Sequence, residues 1–190
     1  ADMEKRGIEW IFIGSVDNIL LKLVDSLLLG LTVSEGNQIG TRTVLKRDPE
    51  ERVGVLCKQN NKIKVIEYTE LPKEIACIKD DEGELVFGES HIMCNLFSLD
   101  AIKRASTKEL EYHIAFKRAD YLNENGEFIK VDKPNAYKFE KFIFDSFKLF
   151  DNISILRGKR EEDFAPVKNM TGEDSPETAK KLYENYWKKA

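Results

Sequence analysis

The sequence predicts an α/β protein, and three observations lead there. Residues 10–16 (WIFIGSV) form an almost wholly apolar run, as in a strand covered on both faces. Apolar residues then fall at helical spacing, at Ile19, Leu20, Leu23, Val24, Leu27 and Leu28. After that, β-rich runs and helical patterns alternate to the end of the chain, the order expected of a sheet with helices packed on it.

Each element has a local cause. Asp17-Asn18 stops the first strand, and the helical pattern covers residues 19–28. Gly36 and Gly40 bound a loop. Residues 41–46, 52–58 and 62–68 read as strands, the last two joined by the hairpin loop Gln59-Asn60-Asn61. Leu71-Pro72 closes that block. Residues 73–79 read as a short helix, and residues 84–87 as a short strand. Between them lies the acidic turn Asp80-Asp81-Glu82-Gly83, whose carboxylates are not spaced to surround an ion. Residues 91–106 carry Ile92, Leu96, Leu99 and Ile102 at helical spacing and read as helix. Asn123-Glu124-Asn125-Gly126 turns between short strands. Lys133-Pro134-Asn135 breaks the chain before residues 137–150. There Phe139, Phe142, Phe144, Phe147 and Phe150 recur mostly every three residues and predict one buried helical face. Residues 153–156 read as a strand. Ser175-Pro176 opens a last helix through Trp187, with Ser175 as N-cap.

At 190 residues the chain has the size of one domain. It is 42% hydrophobic and 34% charged, which excludes wholesale disorder. A net charge of -4 and a pI near 5.4 argue against a nucleic-acid surface held by charge alone. Cys57, Cys77 and Cys94 are odd in number and lack CxxC spacing, which fits a reducing compartment and excludes a disulfide scaffold or zinc knuckle. His91 and His113 are the two histidines, too few for a histidine-rich metal site. The richest apolar stretch, residues 19–33, is interrupted by Lys22 and Asp25 and is shorter than the ~20 residues of a span. The polar start is no signal peptide. It begins with Ala1 rather than methionine, so either the terminus is processed or the chain belongs to a longer protein. The expected location is cytoplasmic, with no membrane or nucleic-acid partner.

Ligands in α/β sheets bind beyond the carboxyl ends of strands, which points to Asp17, Glu67-Tyr68 and the segment around Lys168. Asp17 can hold Mg²⁺ against a phosphate. Equally, Asp17 or Asn18 can cap the following helix; the residues alone leave both open. Lys138 and Lys168 can each meet a phosphate as mobile point charges, against the ordinary reading of solvated lysines. Gly40-Thr41-Arg42 is too weak a signal for a phosphate loop, since no GK[ST] follows. His91 reads as a satisfied helix-terminus histidine, and the phenylalanines as core.

Five strings, in order and in register over nearly the whole chain, change that picture. They are Ser15-Val16-Asp17-Asn18-Ile19-Leu20-Leu21-Lys22, then Val53-Gly54-Val55-Leu56-Cys57, and Val65-Ile66-Glu67-Tyr68-Thr69-Glu70. Lys133-Pro134-Asn135 leads to the fourth, Lys138-Phe139-Glu140-Lys141-Phe142-Ile143-Phe144-Asp145, and the last is Phe164-Ala165-Pro166-Val167-Lys168-Asn169. Together they resemble the eukaryotic UDP-N-acetylglucosamine (UDP-N-acetylhexosamine) pyrophosphorylases.

The resemblance implies a nucleotide-diphospho-sugar transferase fold, a Rossmann-like mixed sheet with flanking helices. It implies Mg²⁺ as cofactor, with Asp17 at the nucleotide phosphates as metal ligand. Gly54 falls next to the sugar, Glu67-Tyr68 on the pair that holds the amino-sugar, and Phe142 and Phe144 on the walls of the N-acetyl pocket. Lys138 falls on the lysine that meets nucleotide phosphate, and Lys168 on the one that grips the sugar phosphate; both are implied as catalytic. The implied substrates are UTP and N-acetylglucosamine 1-phosphate, and the products UDP-N-acetylglucosamine and pyrophosphate.

The sequence departs from that pattern in three ways. A Gly-rich nucleotide loop of the type LxGGxGTRLG is absent, with the lysine and glutamine of the uridine site. The expectation is therefore residues 1–190 as one partial catalytic domain, its second half, inactive alone and prone to self-associate through an exposed sheet edge. A sugar-contacting Gly-Asn appears here as Ser90-His91, which puts sugar selectivity in question. An Asp-Pro expected after the first helix is Asp25-Ser26. Two rivals stand beside this reading: a UDP-glucose or broad UDP-sugar pyrophosphorylase, and a non-catalytic sugar-nucleotide-binding module.

Overall fold

The computed structural model describes residues 2–189. A short helix α1 (Asp2–Lys5) leads into β1 (Trp10–Gly14), and α2 (Ser26–Ser34) precedes β2 (Ile39–Leu45). The hairpin β3 (Val55–Gln59) and β4 (Lys62–Ile66) turns through Asn60 and Asn61, both at positive φ (49° and 63°), as a tight two-residue turn requires. Then come α3 (Lys73–Ala76), β5 (Glu89–Ser98) and α4 (Leu99–Ser106). β6 (His113–Lys117) pairs with β9 (Ala136–Glu140) in a separate ribbon, with the small pair β7 (Tyr121–Leu122) and β8 (Phe128–Ile129) between them. A 3₁₀ helix (Ile143–Leu149), β10 (Ser154–Arg157), α5 (Arg160–Asp163) and α6 (Pro176–Lys189) complete the chain.

The main sheet runs β10-β2-β5-β3-β4. It is mixed: β10 pairs with β2 in parallel, and the other pairs are antiparallel. β2 occupies one side of β5. The other side is shared by β1, opposite Cys94 to Ser98, and by β3, through Val55 and Ser90. On one face Ile39, Leu56, Val65 and Phe97 pack against Ala101 of α4 and against Phe144, Phe147 and Phe150 in and beyond the 3₁₀ helix. On the other face, Gly40 lets α2 approach so closely that a Cβ there would collide with Thr32 Oγ1. Val44, Ile92, Cys94 and Phe164 form a second cluster, and Leu20, Ala165 and Ala179 of α6 a third. The α/β expectation holds.

Four elements differ from the sequence reading. The first helix begins at Ser26, not Ile19, because Asp25 is its N-cap, accepting from Leu27 N (3.0 Å) and Leu28 N (3.3 Å), and Val24 is left-handed (φ 55°). Asp25-Ser26 thus opens a helix rather than following one, and neither Asp17 nor Asn18 caps one. Residues 91–98 are strand, buried on both faces, so their apolar spacing carried no period of two; the helix starts only where Ser98 caps Ala101 N. Lys138 and Phe139 lie in β9, and only the later phenylalanines enter the 3₁₀ helix. Residues 84–87 form no strand, only a bridge between Leu85 and Lys79.

Arg42 of β2 is buried between two carboxylates. It ion-pairs with Asp25, and its Nη1 donates to both oxygens of Asp163 at 3.1 Å. Lys22 adds a 2.9 Å contact to Asp163. Burial works against charge in both Arg42 and Asp25, yet their mutual hydrogen bond and attraction outweigh it, raising the pKa of Arg42 and lowering that of Asp25. Asp163→Ala would leave part of this positive charge buried and uncompensated. It should cost about 3–5 kcal/mol in urea-induced unfolding, the scale for breaking a buried pair; a loss within ~0.5 kcal/mol would place the charges in contact with water.

Candidate active site

β1, β2, β4 and β10 all end at one end of the sheet, where β3 and β5 begin. A cleft of about 820 Å³ opens there. Its lining includes Gly54, Glu67, Tyr68, His91, Phe144 and Lys168, six of the residues singled out in the sequence.

Local structure explains their convergence. Val55 pairs with Ile66, so Gly54 and Glu67 face each other at the mouth of the hairpin. A Cβ on Gly54 would lie 2.8 Å from Val65 Cγ1 and 3.0 Å from Glu67 Oε1, so glycine is what lets Glu67 fold over this strand. His91 N donates to Gly54 O at 2.9 Å. The β2–β5 register slips next to Arg42 and Thr43, where Met93 takes φ 51°, and this bulge turns His91 toward Phe144. The His91 ring is edge-on to Phe144 and Phe147, with centroids 5.0 and 5.8 Å away. Burial pushes the His91 pKa down to about 4, so the ring is neutral.

Lys168 arrives from the far end of the chain. Asn18 is the peg that holds its segment: Asn18 Nδ2 donates to Asp163 O (2.7 Å), and Asn18 Oδ1 accepts from Ala165 N (2.8 Å). Val167 N then donates to Asp17 O at 2.7 Å. Lys168 Nζ donates to Arg52 O at 3.2 Å. Lys168, Lys117 and Arg52 have no carboxylate ion-pair partner among the described residues, although all three line the cleft. Arg47, by contrast, pairs with Asp48 and Glu173. Burial, then the neighbouring Glu70 carboxylate, raises the Glu67 pKa.

Three of the singled-out residues do not line this cleft. Phe142 stacks on Phe144 at 4.7 Å and borders a smaller adjoining hollow with Glu67 and Tyr68. Lys138 sits exposed on the ribbon and pairs with Glu140 at 2.7 Å. Its register partner is Ala115, so it shares a ribbon face with Lys117, which does reach the cleft. Asp17 sits beside the Lys168 segment, its carboxylate accepting from the Ser15 hydroxyl. Lys117 and Arg52 escaped the sequence reading. The alternation His113-Ala115-Lys117 was the available sign that Lys117 shares a face with His113.

His113 clasps the ribbon to the body. Nδ1 lies 2.9 Å from Glu70 Oε1, and Nε2 lies 2.9 Å from Asp145 Oδ2. Phe142 packs on the ring at 4.9 Å, Glu140 is its strand partner, and Glu67 and Glu111 add negative charge nearby. Burial opposes protonation, but the bonds to Asp145 and Glu70 outweigh it and raise the His113 pKa. The clasp therefore stabilises fully below the unfolded value of about 6.5 and weakens as pH rises through the folded one. The difference in thermal stability between the native protein and His113→Gln should shrink from about pH 6 to pH 8; a difference independent of pH would mean that the clasp carries no charge.

The sequence model of the family described as UTP–glucose-1-phosphate uridylyltransferase matches residues 1–174. The human UDP-N-acetylhexosamine pyrophosphorylase-like protein 1 is 40% identical over 185 residues, 94% of this chain and 36% of its own. The UDP-N-acetylglucosamine pyrophosphorylase of Saccharomyces cerevisiae is 35% identical over 190 residues, 96% of this chain and 40% of its own. A crystal structure provisionally assigned as UDP-N-acetylglucosamine pyrophosphorylase, from Entamoeba histolytica, superposes with a TM-score of 0.85. It is 35% identical and covers 97% of this chain and 46% of that one. The chain thus spans less than half the length of these relatives, and it belongs to the UTP–glucose-1-phosphate uridylyltransferase family.

Proposed function

We propose that this chain supplies the sugar side of a uridylyltransferase site that joins UTP and N-acetylglucosamine 1-phosphate into UDP-N-acetylglucosamine. The observation that carries the reading is the single cleft that gathers Gly54, Glu67, Tyr68, His91, Phe144 and Lys168 from distant stretches of sequence. The human, yeast and Entamoeba relatives, whose names specify acetylated amino-sugars, favour that sugar over glucose. In the reaction a sugar-phosphate oxygen attacks the α-phosphorus of UTP, and the bond to the departing pyrophosphate breaks. The nucleophile is already an anion, so no general base is required.

The residues divide the work. Glu67 and Tyr68 accept and donate hydrogen bonds at sugar hydroxyls. The apolar face of Phe144, backed by Phe142, suits the acetyl methyl. Lys168 stabilises charge at the phosphates, with Arg52 and Lys117 close by. Lys138 meets nucleotide phosphate once a substrate draws it from Glu140. Among the described residues no three metal-binding side chains cluster. Mg²⁺ commonly uses one or two carboxylates plus substrate phosphates and water, and Asp17 fits as that one carboxylate. When bound, the ion would neutralise phosphate charge. No helix among the described residues is long and apolar enough to cross a membrane, which suits the cytoplasmic location we propose. Val16, Leu23, Val24 and Leu27, in the stretch from the end of β1 into α2, expose apolar surface, which supports self-association when this chain stands alone.

Pyrophosphate release by the full-length gene product, with several sugar phosphates, tests the activity; a clear preference for glucose 1-phosphate would overturn the acetylated-sugar reading. Lys168→Ala should lower turnover about 10²–10³-fold, and a change below about threefold would return Lys168 to the solvated lysines. Phe144→Ala should weaken selection of N-acetylglucosamine 1-phosphate over glucose 1-phosphate by about 1–3 kcal/mol. Because Phe144 is also core, the ratio between the two sugars is the informative quantity; equal losses would leave it a packing residue.

A further inference from the structure

Thr41, Asn95 and His91 form a buried relay under the 3₁₀ helix. Thr41 Oγ1 donates to Asn95 Oδ1 at 2.7 Å, and His91 Nε2 lies 2.9 Å from the same oxygen. Thr41 and Asn95 are fully buried, and His91 is 5% exposed. In the orientation given by the structure both polar atoms of the amide have a partner, whereas reversal would let the nitrogen donate to Thr41 Oγ1 and His91 Nε2 but leave the buried oxygen with none. Asn95 Nδ2 faces Met93 Sδ at 3.9 Å, a weak acceptor. Reversed, the amide would set its oxygen against a sulfur that cannot donate.

The tautomer of His91 follows. An amide oxygen only accepts, so the ring proton sits on Nε2 and Nδ1 keeps a free lone pair. Nδ1 has no hydrogen-bond partner among the described residues. Ser90 Oγ is the one buried side-chain atom among them without a partner, so Nδ1 is not sealed off. The ring lines the cleft, and its contacts with Phe144 and Phe147 resist its turning.

We propose that Asn95 and Thr41 are positioning residues that fix His91 as an obligate hydrogen-bond acceptor, so that the cleft selects a ligand presenting a hydroxyl or amide N–H at that point. The choice of ligand rests on the sugar-phosphate reading of the cleft; the tautomer does not.

Two measurements decide it. In the full-length gene product labelled with ¹⁵N-histidine, a two-bond ¹H–¹⁵N correlation spectrum of the free protein should show His91 protonated at Nε2 and unprotonated at Nδ1 across about pH 5 to 8. The opposite tautomer would overturn the proposal. Asn95→Leu should give a mixture of tautomers and Asn95→Asp should restore the single form; an unchanged tautomer in Asn95→Leu would show that Asn95 positions nothing. The second measurement compares deoxy and deoxyfluoro N-acetylglucosamine 1-phosphates. Fluorine accepts but does not donate, so at one ring position both analogues should bind about tenfold more weakly, and His91→Ala should abolish that loss. A deoxyfluoro analogue that keeps its affinity where the deoxy one loses it would mean that His91 donates. If no sugar phosphate binds, the reading of the cleft falls, while the free-protein spectrum still decides the tautomer.

Discussion

Asn18 uses both ends of its amide on one segment more than a hundred residues away, and the geometry of the cleft depends on that clamp. Its nitrogen holds Asp163 O and its oxygen holds Ala165 N, while Ile19 N reaches Ala165 O. The same segment brings the Asp163 carboxylate to Arg42 in the middle of β2. One short stretch therefore joins the loop after β1, the second strand and the approach to Lys168. Both halves of the amide are buried, so an unmade bond would leave a desolvated polar group, roughly 1–3 kcal/mol each. That penalty restrains where Lys168 can stand relative to Asp17.

A second constraint is the bulge in β5. A regular strand would carry alternate residues to alternate faces from Glu89 to Ser98. The slip after His91 and the left-handed Met93 re-aim His91 without disturbing Phe97, which stays in the core with Phe147. A polar relay is thereby built into the same face that carries the main apolar cluster. Thr41 joins it because it shares a β2 face with Ile39.

The fold class was legible because the apolar runs, the Asn60-Asn61 turn and the Ser175 cap are local signals that tertiary structure did not override. The boundaries that failed have a common physical cause. Ile92 and Leu96 mark buried positions and Leu99 and Ile102 half-buried ones, but Ile92 and Leu96, four residues apart on a doubly covered strand, look the same as one turn of helix. Phe144, Phe147 and Phe150 likewise mark core, while Phe139 stands exposed on β9, so the series straddles a strand and a 3₁₀ helix. About a third of the cleft lining was legible through short strings such as Gly54-Val55 and Glu67-Tyr68, whose spacing is set by the hairpin itself. Lys117 and Arg52 were not, since a lone cation in a chain rich in lysine and arginine carries no sign of the cavity it faces. Asn95 was hidden too, because its role exists only once the bulge has brought His91 above it.

The cleft presents both cations and acceptor groups to whatever enters it. Lys168, Lys117 and Arg52 are cations without carboxylate partners among the described residues, so they can meet an anion without first breaking an ion pair. The same cleft carries groups that accept: the Glu67 carboxyl, whose pKa burial and Glu70 raise against the pull of Lys168, and His91, which burial keeps neutral. An anion placed among acceptors would find repulsion and no donors; a polyol placed among unpaired cations would leave their charge unanswered. A molecule that carries both a phosphate and hydroxyl or amide donors answers both kinds of group. In the reaction proposed above the nucleophile is already ionised, so orientation of the phosphate beside cations such as Lys168 would supply a large part of the catalysis.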